Sequence, residues 1–189
     1  AYSDAFSEER ITMVGLFVPP GVLAATMPGF GAENAEHAAG IPNRAIFGGL
    51  IHDEGGGVIR RGPGREPIVT YRMGREDRAA MPRLVRVMAE TFLAAGATRV
   101  YLPILGHPPV TADELARLDL DAIPAARYEC SSQHPLGSVR MGASATDGAV
   151  DTDGKLFGLE ELFVVDGSVV PSSLGVNPQL TIMAMATRL

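Results

Sequence analysis

The chain of 189 residues contains a single cysteine, Cys130. This excludes an internal disulfide and any cysteine-built zinc site. Cys130 lies close to His134, which leaves a Cys–His nucleophile pair open, although a small buried thiol is the simpler expectation. No run of about 18 apolar residues occurs, so no membrane span is expected. The opening AYSDAFSEER has neither a basic start nor an apolar core and is not a signal peptide, so the expected location is cytoplasmic. An initiator methionine is also missing, and TIMAMATRL breaks off within an apolar helical pattern. Both ends read as cut, and the chain is expected to be part of a longer protein. An excess of positive charge is lacking too. The net charge of −6 argues against nucleic acid or an anionic membrane surface as the main partner.

Several chemical motifs are absent as well. Gly55-Gly56-Gly57 is followed by neither G-x-G-x-x-G nor P-loop spacing, and reads as a hairpin turn. Asp166-Gly167-Ser168 lacks the flanking glycines of a hydrolase nucleophile elbow, since residue 170 is Val. His52 stands beside Asp53 and Glu54, but adjacent strand residues point to opposite faces, so no shared metal is expected. No internal repeat or low-complexity segment is found.

What is present is an ordinary globular composition, 46% apolar and 20% charged. ITMVGLFV, residues 11–18, reads as a buried strand closed by Pro19-Pro20-Gly21. Residues 24–44 read as a loop with room for a short helix. AIFGGLIHDE, GVIRR and PIVTYRM read as a meander of antiparallel strands. Met81, Leu84, Val85, Met88 and Phe92 mark one helix face, and Pro82 places the helix start at about residues 77–81. Gly96 supplies the stop. TRVYLP reads as a strand, and TADELARL as a helix with Thr111 and Glu114 at capping-box spacing. Toward the C-terminal end, Leu162–Val165 reads as a strand ending at Asp166, and the segment from Pro178 as a helix apolar on most faces and therefore buried. Arg60, Arg61, Arg65, Arg72 and Arg75 read as a solvated face, and His37 and His107 as surface or turn residues.

Two polar residues are held stiffly before prolines: His134 in SSQHPLGSVRMG and Asn177 in GVNPQLTIMAMA. Proline pushes the preceding backbone into the extended region and fixes the direction of the side chain. Histidine is the side chain whose ordinary pKa suits proton transfer near neutrality, but a lone histidine is more often structural than catalytic. Asn177-Pro178 fits a helix N-cap followed by the first helical position. It also fits a ligand site, because a helix N-terminus offers unpaired N–H groups to something anionic. Asp166 suits a hydrogen bond to a ribose or ribitol hydroxyl, or the capping of the following turn.

HPLGSVRMG followed by VDTDGKLFGLEELFVVDGSVVPSSLGVNPQLTIMAMA resembles the C-terminal signature of the glucose–methanol–choline (GMC) family of FAD-dependent alcohol oxidoreductases. LAAGATRVY is similar to the long-chain alcohol oxidase and cholesterol oxidase side of that family. The resemblance implies an α+β chain with an α/β element: an antiparallel-sheet substrate-binding domain over residues 1–148, then residues 149–189 as the last strand and helix of a Rossmann-like FAD-binding domain. It implies His134 as the active-site histidine and Asn177 as its partner. Asp166 and Gly167 would contact the FAD ribityl–pyrophosphate part, with Asn177, Pro178, Gln179 and Thr181 at the flavin edge. Since Pro178 has no N–H, the backbone donor must be at Gln179 or beyond.

The reaction implied is oxidation of a small-molecule alcohol to an aldehyde or ketone, with hydride passing to flavin, His134 accepting the hydroxyl proton and Asn177 orienting the oxygen. The G-x-G-x-x-G unit of the family is missing, so an N-terminal FAD-binding portion or chain is expected as partner. The alternatives are a non-catalytic fragment, or a partner-dependent module binding a lipid or sterol.

Overall fold

The computed structural model describes residues 2–188. These group into two compact units that interleave along the sequence: residues up to Ile51 with Ala79–Cys130, and His52–Arg78 with residues from Ser131 onward.

The first unit holds a three-stranded antiparallel sheet in the order β1 (Tyr2–Ser3), β2 (Ile11–Gly15), β3 (Phe47–Ile51). In the central strand Ile11, Thr12 and Val14 are buried. Met13 of β2 lies opposite Gly49 of β3. Gly49 has no side chain because Leu84 fills that space: a Cβ there would lie 2.2 Å from Leu84 Cδ1. The ring of Phe47 stacks on Phe92 at 4.1 Å. Leu84 and Phe92 belong to α3 (Arg75–Ala94), whose buried residues Met81, Leu84, Val85, Val87 and Ala89 form the centre of this unit. Gly96, at φ +94, ends the helix, with Ala97 N–H returning to Phe92 C=O at 3.0 Å.

Between β2 and β3 the chain folds into two short helices, α1 (Pro20–Thr26) and α2 (Ala32–Ala39), where a loop with room for one was expected. Arg44 joins this lobe to Tyr101, donating to its hydroxyl at 2.8 Å. His37 is therefore not a surface histidine in a loop: it is half-buried in the last turn of α2, with Nδ1 2.7 Å from the same hydroxyl. TRVYLP forms no strand. Its Val100 makes one isolated bridge, to Val110, and Ile104 just beyond it makes another, to Tyr128. The second helix is as expected: in α4 (Ala112–Arg117) Thr111 and Glu114 cap each other reciprocally. Cys130 is exposed, against the expectation of a buried thiol.

In the second unit β4 (Gly56–Arg61) and β5 (Pro67–Arg72) pair as an antiparallel hairpin, a sheet separate from β1–β3. The expected meander is thus divided, since β3 pairs with β2. The triple glycine is not a hairpin turn; Gly56 and Gly57 lie in β4, and residues 62–66 make the turn. Gly57 is required because a Cβ there would lie 2.2 Å from Thr70 C=O. All hairpin strand residues are exposed, including Arg60, Arg61 and Arg72.

Asp77 explains why α3 starts two residues earlier than the sequence indicated. Its carboxylate is fully buried and accepts from Gly74 N–H at 2.8 Å, reaching back over the first turn. It also accepts from Glu54 N–H at 3.1 Å and Gly55 N–H at 2.9 Å, tying the base of the hairpin to the helix start. With the start fixed there, Pro82 falls inside the helix and removes one intrahelical donor.

The C-terminal part differs from expectation in two ways. Leu162–Val165 is no strand: Phe163 makes one bridge, to Lys155, and a strand needs a longer partner edge than that turn offers. The helix from Pro178 does form, as α5 (Gln179–Arg188), but it is not buried; Leu180 is 81% exposed and Met183 55%. Antiparallel sheets plus helices therefore describe the fold. No helix among the described residues is long and apolar enough to cross a membrane.

Replacing Asp77 by Ala strands three backbone donors. Asp77→Ala is expected to cost on the order of 3 kcal/mol in denaturant unfolding. Asp77→Asn, which keeps one acceptor oxygen, is expected to cost less.

Candidate active site

The site grows from the stretch HPLGSVRMG and the backbone it touches. Gly142 and Gly148 meet face to face. A Cβ on Gly142 would lie 2.6 Å from Gly148 N, and one on Gly148 2.5 Å from Gly142 N. This contact lets Ala149 N–H reach Arg140 C=O at 2.8 Å and Gly142 N–H reach Val150 C=O at 2.9 Å. Upstream, Val139 N–H bonds Ser168 C=O at 3.1 Å and Met141 N–H bonds Val169 C=O at 2.9 Å. Gly137, at φ +74, turns the chain there, and a Cβ on it would meet Val170 C=O at 3.3 Å. The segment after His134 is thus laced to the segment after Asp166.

Residues 166–170 are themselves fixed locally. Asp166 caps a 3-10 turn, Gly167–Val169, its Oδ1 accepting from Ser168 N–H at 2.7 Å and from Ser168 Oγ–H at 2.5 Å. Of the two roles open to Asp166 in the sequence, the turn cap is therefore present. Gly167 then packs against α5: a Cβ on it would lie 2.9 Å from Ile182 Cδ1 and 3.3 Å from Leu136 Cδ2. The first hydrogen bond of α5 runs from Ile182 N–H to Pro178 C=O at 2.9 Å, so Pro178 itself holds the cap position, one place later than the sequence implied.

These constraints enclose an open cleft of about 570 Å³. It is lined by His134, Asp166, Gly167, Asn177, Pro178 and Gln179, all anticipated from sequence, and by Gln133, Pro135, Ser138, Ser168 and Ile182, which were not. Thr181 lies in the first turn of α5, half-buried, and is not among the lining residues. Ser168 was legible in principle, as the hydroxyl beside the Asp166 cap; Gln133, Ser138 and Ile182 depend on the tertiary path. His134 is half-buried and Asn177 exposed. Among the described residues neither side chain has a hydrogen-bond partner, so both keep their bonding capacity for a molecule in the cleft.

Gln179, Leu180 and Thr181 supply the unpaired N–H groups of the first turn of α5, a setting for an anionic or carbonyl edge. Asp166 Oδ2 remains available to a hydroxyl. This donor and acceptor set fits the ring edge and a polyol portion of a flavin. Among the described residues no group of His, Cys, Asp and Glu could hold a metal ion.

Ser168 holds the Asp166 carboxyl below its ordinary range, chiefly through the Oγ–H bond and then the N–H bond. A depressed folded pKa stabilises above the unfolded value and loses that contribution as pH falls through the folded pKa. Ser168→Ala is expected to raise the Asp166 pKa toward the ordinary carboxylate value, read by NMR titration. The onset of acid destabilisation of the turn moves to higher pH.

The family model described as GMC oxidoreductase matches residues 60–186. An uncharacterized GMC-type oxidoreductase of Mycobacterium tuberculosis is 35% identical over 173 residues, covering 89% of this chain and 27% of that protein. A long-chain-alcohol oxidase of Arabidopsis thaliana is 29% identical, over 94% of this chain and 24% of its own. The crystal structure of pyridoxine 4-oxidase from Mesorbium loti aligns with a TM-score of 0.48 at 24% identity, covering 76% of this chain and 28% of that one. The chain spans about a quarter of the length of the curated relatives it matches. By the extent of the family match and the identity to the mycobacterial relative, the chain belongs to the GMC oxidoreductase family.

Proposed function

We propose that the protein carrying this chain oxidises an alcohol to an aldehyde or ketone with FAD, and that His134 and Asn177 are the polar groups that handle the alcohol. One observation carries this reading: the two side chains, 43 positions apart, line one cleft with their hydrogen-bonding capacity unspent. Bound FAD supplies the acceptor for the hydride of the alcohol carbon.

The chain's own residues do the rest. The His134 imidazole accepts the hydroxyl proton as the carbonyl forms. The Asn177 carboxamide donates to the same oxygen and so holds the C–H bond in one direction. Pro135, Pro178 and Ile182 provide apolar wall. Asp166 and Gly167 would hold the ribityl–pyrophosphate part. Asn177, Pro178 and Gln179 would line the flavin edge, with the unpaired N–H groups at the start of α5, Gln179 and Thr181 among them, as donors to it.

We assign residues 1–148 to the substrate-binding domain and residues 149–189 to the FAD-binding domain, a Rossmann-like layer that α5 joins. The remainder of that layer, with its phosphate loop, comes from further polypeptide. The exposed apolar residues Leu162, Phe163, Val165, Leu180 and Met183 support this, because they are the surface such a layer would cover.

His134→Ala in the FAD-loaded whole protein is expected to lower kcat about 10²-fold or more. The assay uses a long-chain primary alcohol, the class in the name of the Arabidopsis relative. Normal turnover with flavin still bound would remove His134 as proton acceptor.

A further inference from the structure

His52 does not line the cleft, yet it packs against the turn that leads to Asn177. Gly175 adopts the left-handed conformation, φ +67, two residues before Asn177. A Cβ on Gly175 would lie 3.1 Å from His52 Cβ, 3.2 Å from Cγ and 3.3 Å from Nδ1. The backbone of the turn therefore rests against the root of the imidazole, and a side chain between them would require a shift of a few tenths of an ångström.

The support is itself braced. Asp53, next to His52, accepts a hydrogen bond from the Tyr71 hydroxyl on β5. Glu54 and Gly55 are held by the buried Asp77 carboxylate. His52 thus heads a short segment pinned at successive residues, while the Gly175 turn leads directly to an exposed and unpartnered Asn177.

We propose that His52 is a positioning residue: its ring fixes the Gly175 turn and thereby the direction of the Asn177 carboxamide. This rests on the role proposed above for Asn177. Packing against a turn, and not proton transfer, is the action assigned to His52. Its planar ring is what matters, so Phe should replace it and Ala should not.

The test uses the FAD-loaded whole protein with His52→Ala, His52→Phe, Asn177→Ala and the double variant His52→Ala/Asn177→Ala. His52→Ala is expected to lower kcat by about tenfold, because small misplacement of an orienting group is costly. KM and flavin content stay near wild type. His52→Phe restores most of the loss, and the double variant is no slower than Asn177→Ala alone.

An activity-independent readout accompanies these: hydrogen exchange of the 173–179 segment in the flavin-free protein. Exchange there accelerates at least several-fold in His52→Ala, returns with His52→Phe, and is unmoved by a control, His107→Ala. Wild-type kcat and exchange in His52→Ala overturn the proposal, as does a double variant with multiplied losses. If His52→Ala does not fold, His52→Val, which removes the ring, must accelerate the same exchange, and unchanged exchange overturns the proposal. Should Asn177→Ala and His134→Ala both keep wild-type turnover, the proposed function fails, and the exchange data still decide whether His52 holds the turn.

Discussion

The backbone contact between Gly142 and Gly148 is the constraint on which the cleft depends. Two chain segments approach there more closely than any side chain permits. That approach lets residues 140–142 bond 149–150 on one side, while residues 139–141 bond 168–169 on the other. The lacing continues through Gly137, which carries the chain back to His134, and through Gly167, which lets Ile182 and Leu136 close over it. Asp166 and His134 come from two stretches of sequence that these glycine contacts hold together. A methyl on Gly142 or Gly148 meets backbone and costs on the order of 1–3 kcal/mol in overpacking.

The molecule treats its polar groups in two ways. Asp77 sits at 0% exposure with three backbone donors around its carboxylate, and among the described residues no buried side-chain nitrogen or oxygen lacks a partner. Tyr128 follows the same rule: its hydroxyl donates to Leu120 C=O at 2.6 Å, and burial pushes its pKa up. His134 and Asn177 stand apart from this economy. Both line the same cleft with no side-chain hydrogen bond made.

The sequence was most legible where the deciding interaction is local. His134-Pro135 and Asn177-Pro178 announced themselves through proline; Gly96 and the Thr111–Glu114 pair marked a helix end and start through backbone chemistry within a few residues. Pairings between distant segments were not legible. β3 joins β2 across the α1–α2 lobe instead of the neighbouring β4, because Gly49 opens a seat for Leu84 that no short-range pattern reveals. The bonds of Glu54 and Gly55 to the Asp77 carboxylate, more than twenty positions away, leave no local mark in the sequence. The apolar character of α5 was read correctly and its burial was not, since burial depends on what lies opposite.

The β4–β5 ribbon has a mechanical consequence. Ile59, Val69 and Tyr71 fall on one of its faces through the pairings Gly57↔Tyr71 and Ile59↔Val69, and all three are more than half exposed. Two strands with neither face covered hold together mainly by their ladder, which is marginal in water. The Asp77 carboxylate and the Tyr71–Asp53 bond clamp the root. Opening therefore runs like a zipper from Gly62–Glu66 downward and halts at the clamp, giving a tip that samples many shapes on a stem that keeps one.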